Sequence, residues 1–247
     1  MRELIHMTWK EIEALDRDKA IMVMPIGSVE QHGPHLPVGT DYLIAQAFAQ
    51  RLTQWKETSY MGILLPTIQF GVNAEHAHFQ GTIRVPQESI SSLLEGQCNS
   101  LMEYGFHRFV ILNSHGGNSS LLDSFVRNYR ISHPCQMTAF TYLSSTVYKG
   151  HEELFENEVG LDIHAGEFET SIMQYIYPQL VKDDLARTGD ECNLSSRALP
   201  PGWLTRELSR SGVMGRPSLA TAEKGQEFFR VAEEWLMEKI EGFASAG

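Results

Sequence analysis

The sequence predicts an α/β fold: one domain built on a mainly parallel sheet that helices cover on both faces. Two observations carry this. Four short apolar runs, bounded by Gly, Pro or polar residues, alternate along the chain with stretches whose apolar residues recur at helical spacing. The length, 247 residues with 42% hydrophobic side chains, suits a single domain with a sizeable core, and no internal repeat or low-complexity tract divides it.

The runs "AIMVMPIGS" (Ala20–Ser28), "MGILLPTIQF" (Met61–Phe70), "RFVILNSHGG" (Arg108–Gly117) and "QMTAFTYLS" (Gln136–Ser144) read as buried strands. Leu43, Ile44, Ala47, Phe48, Leu52 and Trp55 repeat at helix spacing after the first, and Ile90, Leu93, Leu94, Leu101 and Met102 after the second. Strand then helix, repeated, implies parallel pairing with helical crossovers. Further helices are expected over Asn118–Arg130, over Gly166–Pro178 with Pro178 as the stop, and in the closing stretch from Thr221 to Phe243. Asp183 to Pro217, rich in Gly, Pro, Ser and Arg, reads as a long loop or lid.

Composition narrows the function. A formal charge of −11 without a basic stripe argues against a nucleic-acid partner. No run of about eighteen apolar residues suggests a membrane span, and the N-terminal stretch lacks a signal-peptide core, so a cytoplasmic protein is expected. Cys98, Cys135 and Cys192 are far apart and form no C-x-x-C, which points to reduced thiols rather than a disulfide frame or a thiolate zinc site.

The chemistry concentrates in "PIGSVEQHGPHLPVGTD" (Pro25–Asp41), which gathers Glu30, His32, His35 and Asp41: Glu30 and His32 follow the first strand, and Asp41 sits just before the first main helix. In a parallel sheet, ligands bind where strands end, and His115 follows the third strand on the same expected edge. "DIHAGEFETS" adds Asp162, His164, Glu167 and Glu169 around a helix start, where Glu167 could equally serve to stabilise the first turn. His76 and His78 read more simply as hydrogen-bonded loop histidines than as ligands. "HGGN" could hold a phosphate on backbone amides or form an esterase oxyanion loop, but the chain has no G-x-S-x-G elbow, Walker A or G-x-G-x-x-G. Carboxylates and imidazoles without thiolates suit zinc, manganese, iron or cobalt, and if Asp41 bridges two ions the centre is binuclear. Such ions acidify water and polarise a carbonyl, which is chemistry for hydrolysing a small amide or related bond.

Taken in order, "PIGSVEQHGPHLPVGTD", "HFQGT", "NSHGGN", "HAGEFETS" and "GRPSLATAEKG" resemble the creatininase (creatinine amidohydrolase) family over nearly the whole chain. The resemblance implies a single three-layer α/β/α domain over residues 1–247, two divalent ions (Zn, Mn or Fe), a homohexamer and a small-molecule substrate. It implies Glu30 and His115 as ligands of one ion, His32 of the second and Asp41 shared by both. Creatinine-cleaving members carry a Tyr and a metal-binding Glu where this chain has Gly116 and Gly117, so either Glu169 or solvent completes the second ion's shell, with Glu169 the expected ligand. His164 is expected as general acid or base, with Glu169 a second catalytic candidate, and His76, Gly116 and Gly117 on the substrate side. The expected reaction is hydrolysis of a non-peptide C–N bond in a small cyclic or formyl amide, creatinine included. Alternatives are C–C cleavage of a cyclic inositol-type ketone, deformylation of a formylaminopyrimidine nucleotide, and a non-enzymatic metal-binding scaffold.

Overall fold

The computed structural model describes residues 1–54, 60–144, 146–156, 162–186 and 201–246. Five strands form one sheet: β1 (Arg2–Glu3), β2 (Ala20–Ile26), β3 (Met61–Leu64), β4 (Arg108–Asn113) and β5 (Gln136–Thr141), in the order β1-β3-β2-β4-β5. Every pairing is parallel. All four sequence-expected strands are present, each shorter than its apolar run. β1, too short to show any periodicity, was not expected.

Eight α-helices are described: α1 (Trp9–Glu13), α2 (Thr40–Thr53), α3 (Gln87–Glu103), α4 (Ser119–Ser132), α5 (Glu167–Ile176), α6 (Asp183–Ala186), α7 (Thr205–Leu208) and α8 (Ala222–Ser245). Pro178 follows α5 as expected, because its ring removes an N–H and blocks continuation. Trp55, expected on α2, lies outside the described residues. The stretch from Asp183 to Pro217 is not a plain loop: it contains α6, α7 and an antiparallel bridge between His164 and Met214, while residues 187–200 lie outside the description.

Side chains alternate across a strand, and the core divides accordingly. Ile21, Val23, Val110 and Leu112 face one way, onto Ile44 and Phe48 of α2, Ile172 and Met173 of α5, and Phe228 and Leu236 of α8. Met22, Met24, Phe109 and Ile111 face the other way, onto Ile90 and Leu94 of α3 and Leu122 and Tyr129 of α4. The result is the expected three-layer α/β/α sandwich. The chain steps from β2 outward to β3, then returns past it to β4, so the winding reverses beside β2. Parallel sheets open a crevice at such a point, beyond the strands' C-terminal ends.

Candidate metal centre

Four segments meet in that crevice. Glu30 and His32 leave the end of β2, and His115 follows β4, the neighbouring strand. Asp41 sits in the first turn of α2, close against the same edge: a Cβ on Gly27 would lie 2.7 Å from the Tyr42 backbone, so only glycine lets the β2 end approach the helix start. The Asp41 carbonyl accepts a hydrogen bond from Ser114 Oγ at 2.9 Å, tying α2 to the end of β4. His164 and Glu169 arrive from the α5 region. Glu30, His32, Asp41, His115 and His164 are all buried.

Two ligand groups share one carboxylate. Glu30, Asp41 and His115 offer atoms close enough to hold one cation, and His32, Asp41 and Glu169 offer a second set. His115 Nδ1 lies 3.0 Å from Asp41 Oδ2, while His32 Nε2 lies 3.4 Å from Asp41 Oδ1 and 3.9 Å from Glu169 Oε1. Glu30, His32 and His164 form a third, overlapping group.

The donor chemistry fits cations. Buried polar atoms normally have partners. Here Glu30 Oε1, His32 Nε2 and Asp41 Oδ2 are buried without a hydrogen bond, and each belongs to a ligand group. His32 Nδ1 lies 3.2 Å from the Glu30 carbonyl, and since a carbonyl only accepts, Nδ1 keeps its proton; Nε2, facing Asp41, is the nitrogen that a cation would take once its own proton leaves. A metal-binding histidine is oriented in this way, its other ring N–H held by a carbonyl.

The charge balance agrees. Burial alone would lower the His32 imidazole, but Asp41, Glu169 and Glu30 raise it to about 9. Against the same burial, Glu30 and Asp41 raise His115 to about 10. Burial would lift Asp41, yet the two imidazoles hold its carboxyl well below the usual range. Burial pushes Glu169 up to about 7 despite His32. Without a cation, protons on the histidines compensate the carboxylates.

His164 differs. Its Nε2 donates to the Gln31 carbonyl at 2.7 Å, which leaves Nδ1 facing the centre, 4.0 Å from Glu30 Oε1. Burial, with His76 and His32 alongside, pulls its proton affinity well below the ordinary imidazole value. His76 packs against it, the ring centroids 4.0 Å apart and the planes tilted by 32°, and brings Nε2 to 3.1 Å from Glu30 Oε1. His76 Nδ1 is 2.9 Å from Gln31 Nε2 and 2.8 Å from Thr205 Oγ1, so this histidine is hydrogen-bonded, as expected, but also lines the centre.

Other candidates fall outside. His35 turns to Thr170 Oγ1 at 2.8 Å and belongs to none of the ligand groups. His78 is exposed. Asp162 accepts N–H bonds from Glu167 and Phe168, capping the start of α5. Glu167 takes a bond from Lys224 Nζ at 2.6 Å, the structural alternative allowed for it. Gly116 and Gly117 open the 3₁₀ turn after His115, and a Cβ on Gly116 would meet nothing within 4 Å. Two neighbours had no sequence signal of their own. Gln31, between two site residues, orients His164 through its carbonyl and His76 through its amide; Glu75 stands 3.7 Å from His115 Nε2.

A family model described as creatinine amidohydrolase matches residues 5–240. The chain belongs to the creatininase family. Among curated members of this hydrolase family, the mycofactocin precursor peptide peptidase of Mycobacterium ulcerans is 33% identical, over 84% of this chain and 79% of its own. The creatinine amidohydrolase of Pseudomonas putida is 25% identical over 95% and 94%. A manganese creatininase structure superposes with a TM-score of 0.75 at 23% identity, covering 98% of each chain. A zinc–zinc creatininase variant gives 0.74 at 23%, again over 98% of each chain, and both likenesses establish the creatininase fold here.

Proposed function

We propose that this creatininase-family hydrolase holds two divalent cations around Asp41 and cleaves the C–N bond of an amide. The observation that carries the reading is the pair of ligand groups meeting at one buried carboxylate, with orphaned donor atoms aimed into them. Glu30 and His115 would hold one ion, His32 and Glu169 the other. Such ions supply a water acidified toward neutral pH and an electrophile for the carbonyl oxygen.

The protein's own groups do the rest. His164, kept neutral by its surroundings and fixed by Gln31, presents Nδ1 to take a proton from the attacking water and return it to the departing nitrogen. Glu169 is anchored through Oε2 by the Ala165 N–H at 2.6 Å, leaving Oε1 toward His32. Gly116 leaves the turn after His115 open, since a Cβ there would meet nothing within 4 Å, whereas the space at Gly117 is taken by the Glu75 carboxylate; His76 borders the centre beside Glu30.

That open face favours a second choice of substrate. The mycobacterial relatives are named for cleaving a precursor peptide, the Pseudomonas relative for creatinine. A peptide amide needs room for chain on both sides of the scissile bond, and the open side of the turn at Gly116 provides it on one. The deciding experiment incubates protein loaded with manganese or zinc with creatinine, formylated amides and a short-peptide library, and identifies products by NMR and mass spectrometry. Creatine formation assigns the small cyclic amide; amine-terminated fragments assign the peptide; no cleavage by metal-loaded protein refutes the amidohydrolase reading. The same reading places the enzyme in the cytosol as a homohexamer, which sedimentation would check.

A further inference from the structure

We propose that Glu75 is a positioning residue of the centre: its carboxylate stands in the space a side chain at 117 would fill and sets its charge beside the Nε2 edge of His115, favouring the proton there and Nδ1 toward Asp41. This rests on the two-cation reading above. Glu75 belongs to the 3₁₀ turn Ala74–His76, on a loop remote in sequence from His115. Its carboxylate is 19% exposed and directed inward, with Oε1 3.7 Å from His115 Nε2.

The convergence is tight. A Cβ built on Gly117 would lie 2.3 Å from Glu75 Oε1, 2.4 Å from the Val72 carbonyl oxygen and 2.5 Å from His115 Nε2. The glycine is thus what lets a carboxylate from another loop reach this imidazole. At His115, Nε2 is 2.9 Å from the Val72 carbonyl, and that oxygen can only accept, so Nε2 carries the ring's proton. Glu30 Oε2 at 3.2 Å and Glu75 Oε1 complete a ring of negative oxygen around the same N–H. Nδ1, 3.0 Å from Asp41 Oδ2, is then the nitrogen that gives up its proton when a cation binds.

At 3.7 Å the Glu75 carboxylate is too far for a hydrogen bond and acts through charge. A carboxylate beside the far N–H of a ligating imidazole fixes the tautomer and makes the facing nitrogen a better donor. Glu75 therefore touches no reacting atom and works through His115.

The test compares wild type with Glu75→Gln, which keeps the shape and removes the charge, and with Glu75→Ala. Zinc affinity is read by competition with a chromophoric chelator, and the tautomer of His115 by ¹⁵N NMR of histidine-labelled protein. The wild type is expected to show an Nε2–H signature for zinc-loaded His115, and both variants to bind zinc about 10-fold to 100-fold more weakly, the usual effect of removing an outer-shell partner. Their His115 nitrogen shifts should move while those of His164 stay. Variants that bind zinc as tightly as wild type, or a His115 that carries its proton on Nδ1, overturn the proposal while leaving the two-cation reading intact. A wild-type protein that binds no divalent ion overturns both.

Discussion

In the two-cation reading proposed above, both positions depend on the Asp41 carboxylate, which two candidate ligand groups share. Asp41→Asn keeps the volume but removes the charge that raises His32 and His115. Zinc or manganese binding should weaken by more than about 100-fold, beyond what losing an outer-shell partner costs, and turnover should vanish; chelator competition reads the first and product formation the second. The two imidazoles also set a pH dependence. In the metal-free protein His32 carries its proton up to about pH 9, so a cation arriving at neutral pH must displace it. Binding therefore releases protons, and the apparent affinity falls about tenfold per pH unit, for each displaced proton, as pH drops below that value. Calorimetry in buffers of different ionisation heat would detect the release. At this scale Glu30, His32 and His115 stand out in the sequence as ligand-type residues that follow strands, and Asp41 as a carboxylate at the start of the first long helix. Glu75 is not, because one more acidic residue in a loop carries no sign of which imidazole it will meet.

Among the elements, α5 and α8 are joined by an ion pair that sequence periodicity does not show. Glu167 is fully buried, and Lys224 Nζ reaches its Oε1, Glu156 Oε1 and the Leu219 carbonyl. Removing the lysine leaves a buried carboxylate without its cation, so Lys224→Met should cost about 3 kcal/mol. For a domain of this size that is a fall in Tm on the order of 10 °C, measurable by calorimetry. α5 also carries Glu169, so in the proposed two-cation reading the same variant should loosen the position that Glu169 shares with His32 more than the other. The short helix α1 shows the other side of legibility. Thr8 and Glu11 form a reciprocal capping box, a signal present in the sequence as T-x-x-E. β1 has no such marker: two residues cannot display alternation, and only the exposed edge of β3 makes Arg2–Glu3 a strand.

For the molecule as a whole, ions bound only in the folded state stabilise it by mass action. At a hundredfold excess over Kd one site adds about 2.7 kcal/mol, so chelator-stripped protein should unfold roughly 5–10 °C lower and recover on adding zinc or manganese. A melting temperature indifferent to chelator would count against resident cations. The sequence by itself determined the α/β class, the parallel sheet and the segments that carry the ligands, because strand runs, helix spacing and strand-end motifs are local properties of the chain. The tertiary structure decided which groups act together. His35 and Asp162, as plausible in the sequence as His32 and Glu169, turn to Thr170 and to the α5 backbone. Gln31, Glu75 and His76 join the centre only because the reversal of winding beside β2 brings the ends of β2 and β4, the loop after β3 and the start of α5 to one crevice. Distances between residues far apart in sequence are fixed by packing, and no local pattern encodes them.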